Sequence, residues 1–266
     1  MAVLANDTIY VAGGLDGAGR SVPDVFTLDP ATGEVAAVGT MPQAFHDAAG
    51  AVIGGRLFVF GGGSGESSDA VQRFDLATGR ATVVGHLPKA LSDLSSTTVG
   101  QTVYLIGGYD GIKPQAAIYS TTDGVRFRTV ARLPKGLRYT SVASVGKSIV
   151  VAGGVSAAGP VSDVDLFDTV SGHVSVLGRL PIAVGHAGAF TLSGRVFLAG
   201  GRDAKGKVVR QVVAIDPVGR TITAQPSLPA GVSDAAAVTD GSTAWLIGGW
   251  RGTALTQVLT ANPPRA

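Results

Sequence analysis

The chain has 266 residues, a formal net charge of +2 and no cysteine. Apolar residues make up 45% of it and charged residues 15%, and 39 glycines and 13 prolines punctuate the sequence. This composition is typical of many short strands joined by tight turns and argues against both helices and disorder. The lack of cysteine excludes disulfides, thiolate metal sites and cysteine nucleophiles.

Charge and hydropathy narrow the possible partners. Lysine and arginine form no cluster of the kind that follows phosphates, so we expect no nucleic-acid partner. No run approaches the roughly 18 consecutive apolar residues of a spanning helix, and the opening segment MAVLANDTIY does not resemble a signal peptide. We therefore expect no membrane insertion by this chain. We also expect a monomer, and an extracytoplasmic domain of a larger protein in preference to a cytoplasmic protein.

A repeat dominates the sequence, and its first copy is TIYVAGG, an apolar strand that ends in two glycines. The phrase returns as LFVFGGG, VYLIGGY, IVVAGGV, VFLAGGR and AWLIGGW. The first glycine of each copy is Gly13, Gly61, Gly107, Gly153, Gly200 or Gly248, a spacing of 46 to 48 residues. Met-Pro or Leu-Pro pairs recur with the same period at 41–42, 87–88, 133–134, 180–181 and 228–229. Such a period predicts a solenoid or a propeller.

Each repeat predicts four strands, as the second copy illustrates. It consists of DAAGAVIGG, RLFVFGG, DAVQRFDLATG and RATVVGHLP in that order. The small residues of the first strand fit a crowded central axis, and the polar fourth strand fits an outer rim. In the turn after the third strand, Asp75 is placed to cap the backbone and Gly79 to take a positive φ. The diglycine lets neighbouring backbones approach because glycine has no Cβ.

The repeats predict one domain of six blades, at approximately 1–41, 42–87, 88–133, 134–180, 181–228 and 229–266. The segment AVLAND near the start aligns with the innermost strands of the other blades. The segment TALTQVLTANPPRA at 253–266 aligns with a third strand. The sixth blade is therefore expected to lack its outer strand and to leave an open sheet edge.

The phrase VYLIGGYDG at 103–111 resembles the repeat of the kelch family, in which Gly-Gly follows the second strand, and the resemblance extends along the whole chain. It implies an all-β, six-bladed kelch-type β-propeller of four-stranded antiparallel blades, the last without its outer strand. Kelch repeats usually carry a tryptophan on the fourth strand and often a tyrosine shortly after the diglycine. Here Val83, Val130 and Val176 stand where tryptophan is expected, a form closer to bacterial kelch domains than to eukaryotic substrate adaptors.

Two sets of loops are expected to converge on one face around the axis. One set leads into the first strand of each blade, and the other follows each diglycine. Loops on a rigid scaffold are where binding groups usually lie. The predicted ligand-binding face consists of Asp16, His46, Asp47, Asp93, Tyr109, Asp110, Arg138, Tyr139, His186, Arg202, Asp203, Asp234, Trp250 and Arg251.

Not all of these residues are equally informative. Asp47, Asp93 and Asp234 recur at one position of the repeat, so their simplest role is to cap the backbone of the next loop. The residues that break the repeat are stronger candidates for function, because symmetry alone does not require them. These residues are Arg138, Tyr139, His186, Trp250 and Arg251.

The remaining tryptophan and the histidines have simpler interpretations. Trp245 lies in the middle of an apolar strand and is expected in the core, and His86 and His173 are expected to face solvent. His46 and His186 lie three blades apart and are expected to oppose each other across the channel mouth. Their spacing does not predict a metal site.

Three functions remain open, and a non-catalytic recognition module for a protein, peptide or glycan is preferred. Its expected anchors are Arg138, Arg202 and Arg251 for carboxylates, and Tyr109, Tyr139 and Trp250 for apolar or sugar-ring stacking. No catalytic residue, metal or cofactor is predicted for it.

The second possibility is an enzyme that resembles the kelch-type sialic acid mutarotases, and the third is a scaffold or oligomerisation domain that uses the open edge. The resemblance to the mutarotases implies acid–base chemistry beside an arginine. Asp93, Arg138 and His186 lie on consecutive loops and are suited to that role, but the face carries no glutamate.

Overall fold

A computed structural model describes residues 1–262, which form strands and turns without a helix. Blade one contains β1 (Ala2–Ala5), β2 (Thr8–Ala12), β3 (Val22–Leu28) and β4 (Val35–Phe45). Blade two contains β5 (Ala49–Ile53), β6 (Arg56–Phe60), β7 (Ala70–Asp75) and β8 (Ala81–His86). Blade three contains β9 (Ser92–Val99), β10 (Thr102–Tyr109), β11 (Gln115–Thr121) and β12 (Arg128–Leu137).

Blades four to six continue the pattern. Blade four contains β13 (Ser141–Val145), β14 (Ser148–Ala152), β17 (Asp163–Asp168) and β18 (Val174–Arg179), with a short hairpin of β15 (Val155–Ser156) and β16 (Gly159–Pro160). Blade five contains β19 (Gly188–Leu192), β20 (Arg195–Ala199), β21 (Val212–Asp216) and β22 (Thr221–Gln225). Blade six contains β23 (Ala236–Thr239), β24 (Ala244–Ile247) and β25 (Val258–Ala261).

The sheets close into a propeller. Strands of each blade pair antiparallel in chain order, and the first strands of the six blades contact one another in a closed ring. The predicted six-bladed architecture is confirmed. Blade six has three strands within residues 1–262, as expected, and only the last four residues of the segment aligned with its third strand lie outside the described part.

The diglycines allow the close backbone contact that the sequence predicts. Gly200 has φ +73°, and a Cβ on it would lie 2.1 Å from the carbonyl oxygen of Val232, which precedes the next blade. The N–H of Gly201 donates to the same oxygen at 2.8 Å. Any side chain at Gly200 would therefore separate two blades that this hydrogen bond holds together.

Side chains follow their expected positions. Trp245 is in the core at 7% exposure, whereas His86 and His173 are exposed. Asp75 caps its turn by accepting from the N–H of Ala77 at 3.1 Å and of Thr78 at 3.0 Å, as predicted. No helix in the described part of the chain is long and apolar enough to span a membrane.

Hydroxyl groups tie the innermost strands of neighbouring blades together. Ser141 donates to the carbonyl of Ala187 at 2.9 Å, and Ser96 donates to that of Gly50 at 2.7 Å. Thr239 donates to the carbonyl of Thr191 at 3.0 Å. These bonds satisfy polar groups that line the axis and hold the blades in place around it.

Candidate functional site

The two sets of loops lie on one face, as the sequence predicts. Arg138 and Val155 exchange two backbone hydrogen bonds, at 3.0 and 2.7 Å. Ser233 and Trp250 do the same at 3.2 and 2.7 Å. Each loop that leads into a first strand is thus fixed against a loop that follows a diglycine.

Five residues at the same position of the repeat form what we call the left-handed ring. Its members are Asp47, Asp93, Tyr139, His186 and Asp234, with φ between 51° and 61°. The N–H of each later member donates to the carbonyl oxygen of the member before it, at 2.8, 2.9, 3.1 and 2.9 Å. This backbone arrangement is a consequence of blade packing and is independent of the side chains.

The choice of side chains in the left-handed ring is therefore evidence about function. A left-handed conformation costs a residue with a Cβ about 1–2 kcal/mol. Aspartate and histidine are enriched there, whereas a bulky residue such as Tyr139 is an outlier. Residues held in such conformations cluster at functional sites.

Tyr139 reaches across the mouth of the channel. Its hydroxyl donates to Asp47 Oδ2 at 3.1 Å, and its ring stacks on His186 with centroids 3.7 Å apart. Burial, followed by the carboxylates of Asp47 and Asp93, raises the pKa of Tyr139 above its usual range. The phenol therefore stays protonated and acts as a donor.

His186 belongs to a chain of polar contacts that ends at Trp250. Its Nδ1 lies 2.5 Å from Asp234 Oδ1, and Arg202 Nη2 lies 2.5 Å from Asp234 Oδ2. The guanidinium of Arg202 also lies 4.5 Å from the centroid of the Trp250 ring. Burial acts to raise the pKa of Asp234, but its contacts with His186, Ser233 and Arg202 outweigh that effect and lower the pKa.

A second arginine–carboxylate pair lies between blades three and four. Arg138 Nη1 is 3.3 Å from Asp93 Oδ2, and the guanidinium lies 4.6 Å from the centroid of Tyr109. Asp93 is only 6% exposed. Burial, with the nearby charge of Asp47, raises the pKa of Asp93 despite its pairing with Arg138.

The left-handed ring surrounds the opening of a central cavity of about 280 Å³. Below the ring, the wall is formed by small and hydroxyl residues of the first strands, including Gly50, Ser95, Ser141 and Ala187. Ser95 and Ser141 were not among the residues predicted from the sequence for the binding face. The sequence feature that could have identified them is the presence of hydroxyl residues in first strands, which carry alanine and glycine in other blades. In residues 1–262, no three histidine, aspartate or glutamate side chains are grouped as a metal site would require.

The aspartates that cap loop backbones are not Asp47, Asp93 and Asp234, for which the sequence predicts that role. Asp16, Asp110 and Asp203 accept backbone N–H groups of their own loops, for example from Ala18, Ile112 and Lys205 at 2.8, 3.0 and 2.9 Å. The carboxylates of Asp47, Asp93 and Asp234 contact side chains of other loops. The prediction that these three cap the next loop is therefore wrong, because a left-handed backbone directs them to the mouth.

His46 and Arg251 also differ from the rest of the predicted face. His46 precedes the ring residue of its loop, binds Ser21 Oγ through Nδ1 at 2.8 Å and does not line the cavity. Of the two histidines expected to oppose each other across the channel mouth, only His186 lines the cavity. Arg251 is exposed at a loop tip, and its side chain forms no hydrogen bond or ion pair with residues 1–262.

Comparisons with known proteins agree on the architecture. The kelch motif matches residues 2–42 and 44–80, which cover the first blade and most of the second. A search of curated proteins found no match. Solved structures give 935 matching chains, so the fold alone does not select a function. One of them, "Structure of YjhT", has a TM-score of 0.85 and 16% identity, and the alignment covers 98% of this chain and 96% of that one. At this identity the likeness shows a shared fold.

Proposed function

We propose that this kelch-type β-propeller is a recognition module whose ligand binds at the channel mouth. The observation that carries the proposal is the presence of Tyr139 and His186 at left-handed positions where the repeat has aspartate. The backbone does not require these side chains. Their stacking and their contacts with Asp47 and Asp234 instead build a preorganised polar surface.

The charges of this surface favour a ligand that offers hydrogen-bond donors. The ring supplies three carboxylates, from Asp47, Asp93 and Asp234, and both nearby guanidiniums are already paired with two of them. An anionic group would have to compete with these aspartates for Arg138 or Arg202. A carboxylate oxygen can accept more than one hydrogen bond, so hydroxyl, amide and ammonium groups can bind these aspartates without displacing their partners, which favours a glycan or a peptide.

A thermal-shift screen tests the proposal. The screen contains neutral and acidic saccharides and short peptides, and each compound is tried on the wild type and on Tyr139→Asn. Asparagine tolerates the left-handed backbone, so this variant removes the aromatic contacts and keeps the loop. A ligand at 100 times its dissociation constant adds about 2.7 kcal/mol of stability, a shift of several degrees for a protein of this size.

The variant Ser193→Asn is the matched control. Ser193 has φ 48° in a turn between β19 and β20, away from the mouth. If a ligand binds at the mouth, we expect it to raise the melting temperature of the wild type and of Ser193→Asn equally. Its effect on the melting temperature of Tyr139→Asn should be much smaller. Equal shifts in all three proteins, or no shift from any compound, would count against binding at the mouth.

An acid–base enzyme acting on a sugar is the second candidate, and the His186–Asp234 pair favours it. One carboxylate oxygen orients the imidazole while the other is held by Arg202, an arrangement suited to moving a proton. This pair differs from the trio Asp93, Arg138 and His186 expected from the sequence. Within residues 1–262, Arg138 is paired with Asp93, and His186 is paired with Asp234. Exchange between sugar anomers, measured by NMR with wild type and Asp234→Asn, tests this candidate. The enzyme predicts accelerated exchange that Asp234→Asn abolishes, and an unaccelerated rate for every sugar would exclude it.

A further inference from the structure

A second, polar cavity of about 500 Å³ lies between the end of blade one and the loop that follows the diglycine of blade two. Gln43 and Phe45 of β4 line one side of it, and Ser64 and Glu66 of the loop line the other. This cavity shares no lining residue with the central cavity. It is therefore a separate candidate site, and a ligand in it does not require a ligand at the mouth.

Blade three fills the equivalent place with a lysine of the chain itself. Lys89 follows a Leu-Pro pair as Gln43 follows a Met-Pro pair, so the two residues hold the same position of the repeat. The ammonium of Lys89 is paired with the carboxylate of Asp110 and donates to Gln115 Oε1 at 3.3 Å. An ammonium group thus lies between a carboxylate and an amide oxygen at this place in blade three.

Blade four uses a lysine in a similar way. Lys135 also follows a Leu-Pro pair, and its Nζ lies 2.5 Å from Asp163 Oδ2 in β17. At two successive blade interfaces, the residue after the proline therefore supplies an ammonium to a carboxylate of the next blade.

Blade two lacks the side chains that occupy this place in blade three. Counted from the diglycine, Ser64 takes the position of Asp110. By the register of the third strands, Ser68 takes that of Gln115. Both serines line the cavity together with Gln43, which is shorter than a lysine and uncharged. The cavity is open because all three replacements are smaller than their counterparts.

Two polar groups of the cavity are left without a partner. Gln72 is only 1% exposed, and its Oε1 accepts from the N–H of Gln43 at 2.8 Å. Its Nε2 has no acceptor in residues 1–262, although buried donors are normally paired. Glu66 lies two residues after Ser64, is exposed and forms no ion pair with residues 1–262. The cavity thus offers a carboxylate and an amide donor that the described residues do not satisfy.

We propose that this cavity binds a lysine side chain of a separate peptide or protein, with the ammonium at Glu66 and a main-chain carbonyl oxygen of the same peptide at Gln72 Nε2. The bound lysine supplies to blade two the ammonium that blades three and four receive from the chain itself. Among residues 1–262, Glu66 is the one charged residue of the lining, so the charge of the site favours a cation. This site lies outside the mouth and goes beyond the recognition proposed there.

A capped tripeptide, acetyl-Gly-Lys-Gly-amide, tests the proposal. The peptide is titrated into the ¹⁵N-labelled chain and followed by two-dimensional NMR. We expect saturable shifts of the backbone amides of Gly63 and Gly65 and of the side-chain amide of Gln72. Acetylation of the lysine Nζ removes the charge and should weaken binding about fivefold, the upper range for an ion pair that water still reaches.

Three variants of the protein identify the groups that bind the peptide. Glu66→Gln should weaken binding about fivefold. Glu34→Gln is the matched control, because it removes the same charge from an exposed residue in the turn between β3 and β4, at the other end of blade one, and it should leave binding unchanged. Gln43→Lys supplies the ammonium from the chain itself, as in blade three, and should abolish the saturable shifts. Unchanged resonances in the other blades confirm that each variant is folded.

Several outcomes would overturn the proposal. They are no saturable shift, equal affinity for the acetylated peptide, equal losses in Glu66→Gln and Glu34→Gln, or undiminished binding by Gln43→Lys. Tighter binding of glucosamine than of the peptide would show that an amino sugar is the occupant. Tyr139→Asn should bind the peptide as the wild type does, whatever the outcome at the mouth. A loss in that variant would place the peptide at the mouth and refute a separate site.

Discussion

Replacing Gly107 with alanine is expected to destabilise the propeller by about 2–5 kcal/mol. Its φ of +67° costs a residue with a Cβ about 1–2 kcal/mol. The added methyl group would also lie 2.4 Å from the carbonyl oxygen of Leu137, and relief of this overlap costs about 1–3 kcal/mol more. Urea unfolding followed by circular dichroism measures the loss, and an unchanged denaturant slope shows that stability alone has altered.

Gly111→Ala separates the two contributions. Gly111 also has a positive φ, +85°, but a Cβ there would meet nothing within 4 Å. This control should lose only the conformational part, about 1–2 kcal/mol. The difference between the two variants is then the steric cost of separating neighbouring blades. Equal losses would refute the claim that the diglycine exists to allow blade contact.

Two further predictions concern Asp110 and Trp250. The ion pair with Lys89 and the N–H groups of Lys113 and Ile112 lower the pKa of Asp110 to about 2, below its unfolded value of about 3.9. Its stabilising effect is therefore complete above about pH 5 and is lost as the pH falls towards 2. The urea midpoint of Asp110→Asn should lie below that of the wild type at pH 6 and approach it near pH 2, and a constant gap would contradict this assignment. Trp250 is 37% exposed and Trp245 7% exposed, so Trp250→Phe should remove most of the fluorescence that acrylamide quenches, whereas unchanged quenching would place Trp250 away from solvent.

The fold was predictable because every blade repeats one local solution. A strand of small residues, an apolar strand, a diglycine and an Asp-capped turn recur every 46 to 48 residues. Such a unit buries its faces only against copies of itself, so the number of copies gives the number of blades. The short last blade followed from the same alignment and needed no long-range information.

The contacts of the site were not predictable in the same way. Tyr139 and Asp47 are 92 residues apart and meet only because the ring closes. Asp93 and Asp110 both lie on the predicted face. Asp93 is a buried partner of Arg138, whereas Asp110 caps its own loop. What separates them is the left-handed backbone of Asp93, which depends on its place in the ladder that links Asp47, Asp93 and Tyr139 across three blades.

The most direct test of recognition at the mouth is a calorimetric titration of the best ligand from the thermal-shift screen. The titration is carried out on the wild type, Tyr139→Asn and Ser193→Asn under the same conditions. The proposal predicts that Tyr139→Asn weakens binding at least tenfold, a loss of about 1.4 kcal/mol, while Ser193→Asn stays within twofold of the wild type. Equal dissociation constants for the three proteins would show that the ligand binds elsewhere.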